Sequence, residues 1–160
     1  MVCRFTRFRR LLLGGMLLAA LNVAFAALTI TEDVTPNLGT VYSGASGRQF
    51  ILNTDETVSG ADAVDYLFGA VSGQLGVRKT GGPASANIVA ENITPSGGLA
   101  VNAIPCRWHT DAQTTCDGAG INVTVQGNRT LYVGVDIDTS QIHNSGDTAS
   151  VSYDINITLL

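Results

Sequence analysis

Between Thr148 and Leu160 the side chains alternate without interruption: Ala149, Val151, Tyr153, Ile155, Ile157 and Leu159 are apolar, and Ser150, Ser152, Asp154, Asn156 and Thr158 lie between them. A period of two is the signature of an extended strand, because successive side chains leave a strand on opposite faces. One face must then cover a core while the other meets water. Strands of that kind belong to antiparallel sheets. The expected fold is therefore all-β, a single antiparallel β-sandwich of immunoglobulin-like or pilin-like type.

The start of the chain reads differently. Arg4, Arg7, Arg9 and Arg10 precede an apolar run from Leu11 to Val23, and Ala24-Phe25-Ala26 follows. Basic, apolar and small-residue regions in that order make a secretory signal peptide, with cleavage expected after Ala26. The apolar run is about 13 residues long and is interrupted by Gly14, Gly15 and Asn22, too short for the roughly 20 residues of a spanning helix. No stable membrane span is expected after cleavage. No cysteine follows the run to carry a lipid, and Cys3 leaves with the leader. The division is thus 1–26 signal peptide and 27–160 one β-sandwich domain, long enough for a core of its own.

Removing the leader changes the charge. Four of the nine basic residues lie in 1–26, leaving five against thirteen acidic residues, a net charge of −8. Lys79 is the chain's one lysine. Such a surface cannot neutralise a row of phosphates, so nucleic acid is excluded as a partner and an anionic membrane is little better.

Short strands separated by turn residues fill the rest. Leu28 to Val34 alternates and ends at Pro36-Asn37, and Arg48 to Leu52 is rich in strand formers. A stretch near 61–68 has spacing close to helical, but Gly60, Gly69 and Gly73 bound it tightly, and a strand from about Val64 to Val71 is expected instead. Gln74 to Lys79 and Ala86 to Asn92 read as two strands, with Thr80-Gly81-Gly82-Pro83 as a turn between them. Further strands are expected at Leu99 to Ile104, at Ile121 to Val125 and at Leu131 to Asp138. The last of these is expected to lie antiparallel beside the terminal strand, since a parallel crossover needs about a dozen residues or more.

Few residues could carry chemistry. Cys106 and Cys116 are the two cysteines of the exported product, and in an oxidising compartment they read as a disulfide. Cys106, His109, Cys116 and His143 would make a metal set, but structural zinc sites show paired short spacings that are missing here, and no metal or cofactor is expected. Trp108, inside the cysteine loop, has two readings: a plug of the core, or a platform for a sugar ring. Asp136 and Asp138 share a strand face, a spacing open to calcium or acid/base work but equally demanded by the polar side of an alternating strand. Asn92, Asn122, Asn128 and Asn156 each begin an Asn-x-Thr triplet, a pattern frequent by chance in a chain this rich in both residues. No nucleophile elbow, phosphate loop or dinucleotide fingerprint is present, so no catalytic residues are assigned.

Leu38-Gly39-Thr40-Val41, Asn92-Ile93-Thr94-Pro95-Ser96-Gly97-Gly98 and Leu131-Tyr132-Val133-Gly134, followed by a glycine-containing loop and an alternating terminal strand, together resemble a bacterial secreted domain-of-unknown-function family. That family is similar in character to pilin-like and spore coat U-type proteins. The resemblance implies a β-sandwich in the periplasm, on the outer surface or outside a Gram-negative cell, and it supplies no catalytic residues. Pilin-type relatives carry a long alternating extension that is donated to a neighbouring subunit. Here eleven residues, Ala27 to Asn37, precede Leu38 and are expected to be the domain's own first strand. The expected function is non-enzymatic: a secreted or cell-surface structural protein, pairing by strands with other surface or pilus subunits. The alternative is a carbohydrate-binding or adhesive module for surface glycans. Intact mass of exported material should place the first residue at Ala27, and a product retaining Met1 would overturn the assignment of compartment.

Overall fold

The computed structural model describes residues 27–42, 44 and 46–160; the expected leader lies outside them. The strands among the described residues are β1 (Leu28–Val34), β2 (Thr40–Val41), β3 (Gln49–Leu52), β4 (Val58–Ser59), β5 (Tyr66–Phe68), β6 (Gly73–Ser96), β7 (Leu99–Ala103), β8 (Pro105–Trp108), β9 (Thr114–Thr115), β10 (Ile121–Val133), β11 (Val135–Thr139) and β12 (Ser150–Leu159). All their pairings are antiparallel.

One sheet has the order β1-β6-β10-β8-β9, with β12 also on β6, and a second has the order β4-β3-β11-β7; β2 and β5 form a small third sheet. Phe50, Leu52, Val135 and Ile137 of the four-stranded sheet and Val77, Ile88, Val125, Leu131 and Val133 of the larger one join a single buried cluster. This is the expected all-β, sandwich-like arrangement.

The longest strand departs from expectation. Residues 80–83 do not reverse the chain; they bulge out of β6, which continues in the same direction. The register with β10 passes from Lys79–Gly127 to Ala84–Val125, so the large excursion on β6 is opposed by Gln126 alone. Two things keep the strand going. β10 runs past the excursion and resumes pairing beyond it, and the Lys79 ammonium turns back to donate to Gly82 O at 2.6 Å. Lys79 is only 6% exposed, and a buried ammonium must find acceptors.

The stretch from Leu131 to Asp138 keeps its alternating apolar residues buried, but it divides at Gly134 and crosses from one sheet to the other. Beside it, β7 and β8 cross in the opposite direction at Ile104. The two crossings travel together, because β8 pairs with β10 and β7 with β11. At the corner Gly134 N–H donates to Pro105 O at 2.8 Å. Strands that switch sheets in this way make the corners of orthogonally packed β structures. Glycine is needed there for space: a Cβ on residue 134 would lie 1.9 Å from the Leu52 carbonyl oxygen.

The terminal strand is where the alternation places it, with apolar side chains half-buried and polar ones exposed up to Thr158. Its neighbour is not the expected one. β11 already has β3 and β7 on its two edges, and the residues between Thr139 and Ser150 carry the chain over to β6, which β12 joins from Ser150–Ser96 to Leu159–Ala86. Tyr153 on β12 has its phenol pushed well above the ordinary tyrosine range, first by burial and then by the Glu32 carboxylate of β1.

β1 occupies the range expected of it and pairs with β6 of its own chain. The 61–71 stretch holds a single 3₁₀ turn, Ala63–Asp65, before the short β5, so neither a helix nor a strand of the expected length forms. Replacing Gly134 by Ala should lower unfolding free energy by about 2–4 kcal/mol, because backbone atoms must move to admit the methyl group. Urea denaturation measures this, and an unchanged midpoint would show that the corner yields freely.

Candidate functional site

Each residue singled out for chemistry has a defined place. Cys106 and Cys116 are bonded to each other across a Cα separation of 5.7 Å, and both are buried. β8 carries Cys106, and Cys116 follows β9, its strand partner; Cys116 N–H donates to Ile104 O at 2.9 Å. With both sulfurs in the bridge, the metal set loses two ligands. Its histidines are also held in different places. His109, at a positive φ of 51°, has Nε2 3.2 Å from Arg129 Nη1, whereas His143 lies 3.4 Å from Gly98 O. Among the described residues no three His, Cys, Asp or Glu side chains gather in a metal-sized cluster.

Trp108 is 5% exposed and belongs to the core. Of its two readings the plug holds; a stacking platform needs an open ring face, which this tryptophan lacks. The reason is register. Trp108 stands opposite Leu131 and Cys106 opposite Val133, so all four share the inner face, while Arg107 between them faces out toward Tyr132.

Asp136 and Asp138 lie on the outer face of the four-stranded sheet. Asp136 Oδ1 accepts from Gln49 Nε2 and from Asn102 Nδ2, each at 3.2 Å. The carboxylate thus ties β3 and β7 to β11. The four Asn-x-Thr asparagines are exposed, yet Asn92 donates to Asp154 Oδ2 at 2.7 Å and Asn122 accepts from Asn87 at 3.1 Å.

Three features were hidden from the sequence. The Arg107 guanidinium lies 4.3 Å above the centre of the Tyr132 ring and donates from Nη2 to Thr54 O at 3.2 Å. Stacking of this kind uses the cation as a packing element. Nearby, hydrogen bonds from the Thr57 hydroxyl and backbone hold the Asp55 carboxyl below its usual range, with a smaller contribution from Arg107. Second, a groove of about 240 Å³ is lined by Ile93, Pro95, Val101, Asn102, Ala103 and Asp117. It is smaller than the about 300–1,000 Å³ of ordinary small-molecule sites, and Asp117 already accepts from Ile104 N–H at 3.0 Å. Third, Tyr42 and Phe68 are 59% and 66% exposed. Phe68 stands opposite Thr40 in the irregular β2–β5 pair, and Tyr42 directly follows β2. Pairing partners far apart in sequence decide all three, so only the bare residue types were visible beforehand.

The arrangement defines a disulfide-bridged, antiparallel all-β protein. No family model, curated protein or solved structure matches the chain.

Thiol titration of the unfolded, unreduced protein should detect no free thiol in residues 27–160. Converting both Cys106 and Cys116 to Ser should cost roughly 2.5–3 kcal/mol, the chain-entropy value for so short a loop. Stoichiometric zinc with two titratable thiols would reverse the assignment.

Proposed function

We propose that this protein is a non-enzymatic structural component of the bacterial cell surface or of a surface fibre, exported through its N-terminal leader. What carries the reading is the use made of the residues with chemical potential. The cysteines bond each other, Trp108 fills the core, Asp136 is held by two amides, Lys79 by backbone carbonyls, and Arg107 by an aromatic ring. Such spending of polar groups on cross-strand ties suits a protein that must keep its shape outside the cell. The resemblance to pilin-like and spore coat U-type proteins agrees with it. β1 lies along its own β6, which supports a subunit that folds unaided before it meets its partners.

Fractionation tests this reading. A tagged copy in a Gram-negative host should appear in periplasmic or sheared-surface material in complexes with other proteins. Recovery as a cytoplasmic protein, or an associated hydrolytic activity that copurifies through every step, would overturn it.

A second reading, an adhesive module for glycans, draws on Tyr42 and Phe68, since exposed aromatic rings are suited to stacking against sugars. Under it, changing both residues to Ala should abolish glycan-array binding while moving stability by no more than about 0.5 kcal/mol, as surface substitutions do. Unchanged binding would remove this patch from consideration.

A further inference from the structure

β12 is bonded on one edge only. Among the described residues no strand pairs with its other edge, and the strand has none of the usual protections: no proline, no lysine, and Asp154 as its single charge. Backbone geometry shows what that edge offers. Leu160 N–H donates to Ser85 O at 2.9 Å, and the register from Leu159–Ala86 to Asp154–Glu91 is unbroken. In an antiparallel pair, opposed residues alternately turn both backbone groups toward the partner or away from it. Thr158, Asn156 and Asp154 are in phase with Leu160, so they face β6. The N–H and C=O groups of Ile155, Ile157 and Leu159 therefore point off the sheet.

We propose that this edge is a self-association surface, and that its occupant is β12 of a second copy, paired antiparallel about a two-fold axis at Ile155. The sequence of the strand favours a copy of itself. Centred on Ile155, the pairing sets Tyr153 against Ile157, Val151 against Leu159, and Ser152 against Thr158 of the second copy. Asp154 then faces Asn156. Every apolar residue meets an apolar one on the core side, every polar residue a polar one on the outer side, and the one charge avoids its own image. Centring on Asp154 would oppose two carboxylates, which is unfavourable in directly facing positions. The odd-numbered residues, whose backbone groups are free, become the hydrogen-bonded pairs. The added strand also covers side chains that β12 leaves half-buried, and the closed two-fold arrangement stops at two copies. The inference deepens the proposed function and rests on it in taking a protein as the partner.

Sedimentation velocity on the exported protein tests it, with Asn156→Lys and Asn156→Asp as the informative variants. Position 156 is exposed, so both should keep the urea midpoint of the parent. In the proposed register residue 156 faces Asp154 of the other copy twice per dimer. Lys should tighten the dimer, and Asp should weaken it, each by roughly three- to tenfold at low salt. A protein that stays monomeric at every concentration, a dimer indifferent to residue 156, or open-ended filaments in place of dimers would each overturn the proposal. The surface-structural reading fails separately, through the fractionation experiment, because cellular location does not depend on this edge.

Discussion

The demand that buried backbone groups be paired falls most heavily on β6. β10 lies along one edge of it from Gly73 to Ile88, and along the other edge lie β1, from Gln74 to Lys79, and then β12, from Ala86 to Ser96. Because a strand in a core cannot leave its N–H and C=O groups unmet, the length of β6 dictates where three other strands must lie. The excursion at 80–83 is the larger of two interruptions, the other falling at Asn92–Ile93 opposite Tyr153, and it is stabilised from within by the Lys79 ammonium. The terminal strand, so regular in its own sequence, takes its position from this older constraint and not from the strand that precedes it.

The corner at Ile104 and Gly134 links that sheet to the other. Two neighbouring strands pass between layers side by side, so the hydrogen-bonded ribbon is never cut, and one core serves both sheets. The disulfide closes around the same corner: Cys106 starts just past the crossing, and the residue after β9, Cys116, bonds to the Ile104 carbonyl. Packing, covalent bridge and backbone pairing thus meet within a few residues. A side chain at position 134 would disturb all three.

Much of this was legible in the sequence. Period-two alternation located β12 and the buried residues on both sides of Gly134, because burial on one face imposes that period directly; β1 took its expected range although only its two end residues are half-buried. The cysteines announced their bridge by their number and by the oxidising compartment expected of an exported chain. What alternation cannot carry is pairing. Thr80-Gly81-Gly82-Pro83 has the composition of a reversal, and only a neighbour running past it makes it a bulge. Gly134 looked like one more residue in a strand until the Leu52 carbonyl stood where its side chain would be. Trp108 was ambiguous because its facing depends on register with Leu131, and the exposure of Tyr42 and Phe68 is set by a small separate sheet whose pairing the sequence does not announce.

The placement of the few cations has a consequence for resistance to proteolysis. Enzymes that cut after basic residues need a length of chain that can be drawn into an extended, accessible form. Arg78 and Lys79 lie within β6 and Arg129 within β10, Arg107 in β8 is stacked on Tyr132, and Arg48 is ion-paired to Asp65 while its N–H donates to Thr139. Among the described residues every lysine and arginine is therefore either built into a ladder or tied to one side of it. Trypsin-like attack after Arg78, Arg107 or Arg129 would have to unzip a strand before it could reach the bond it cuts.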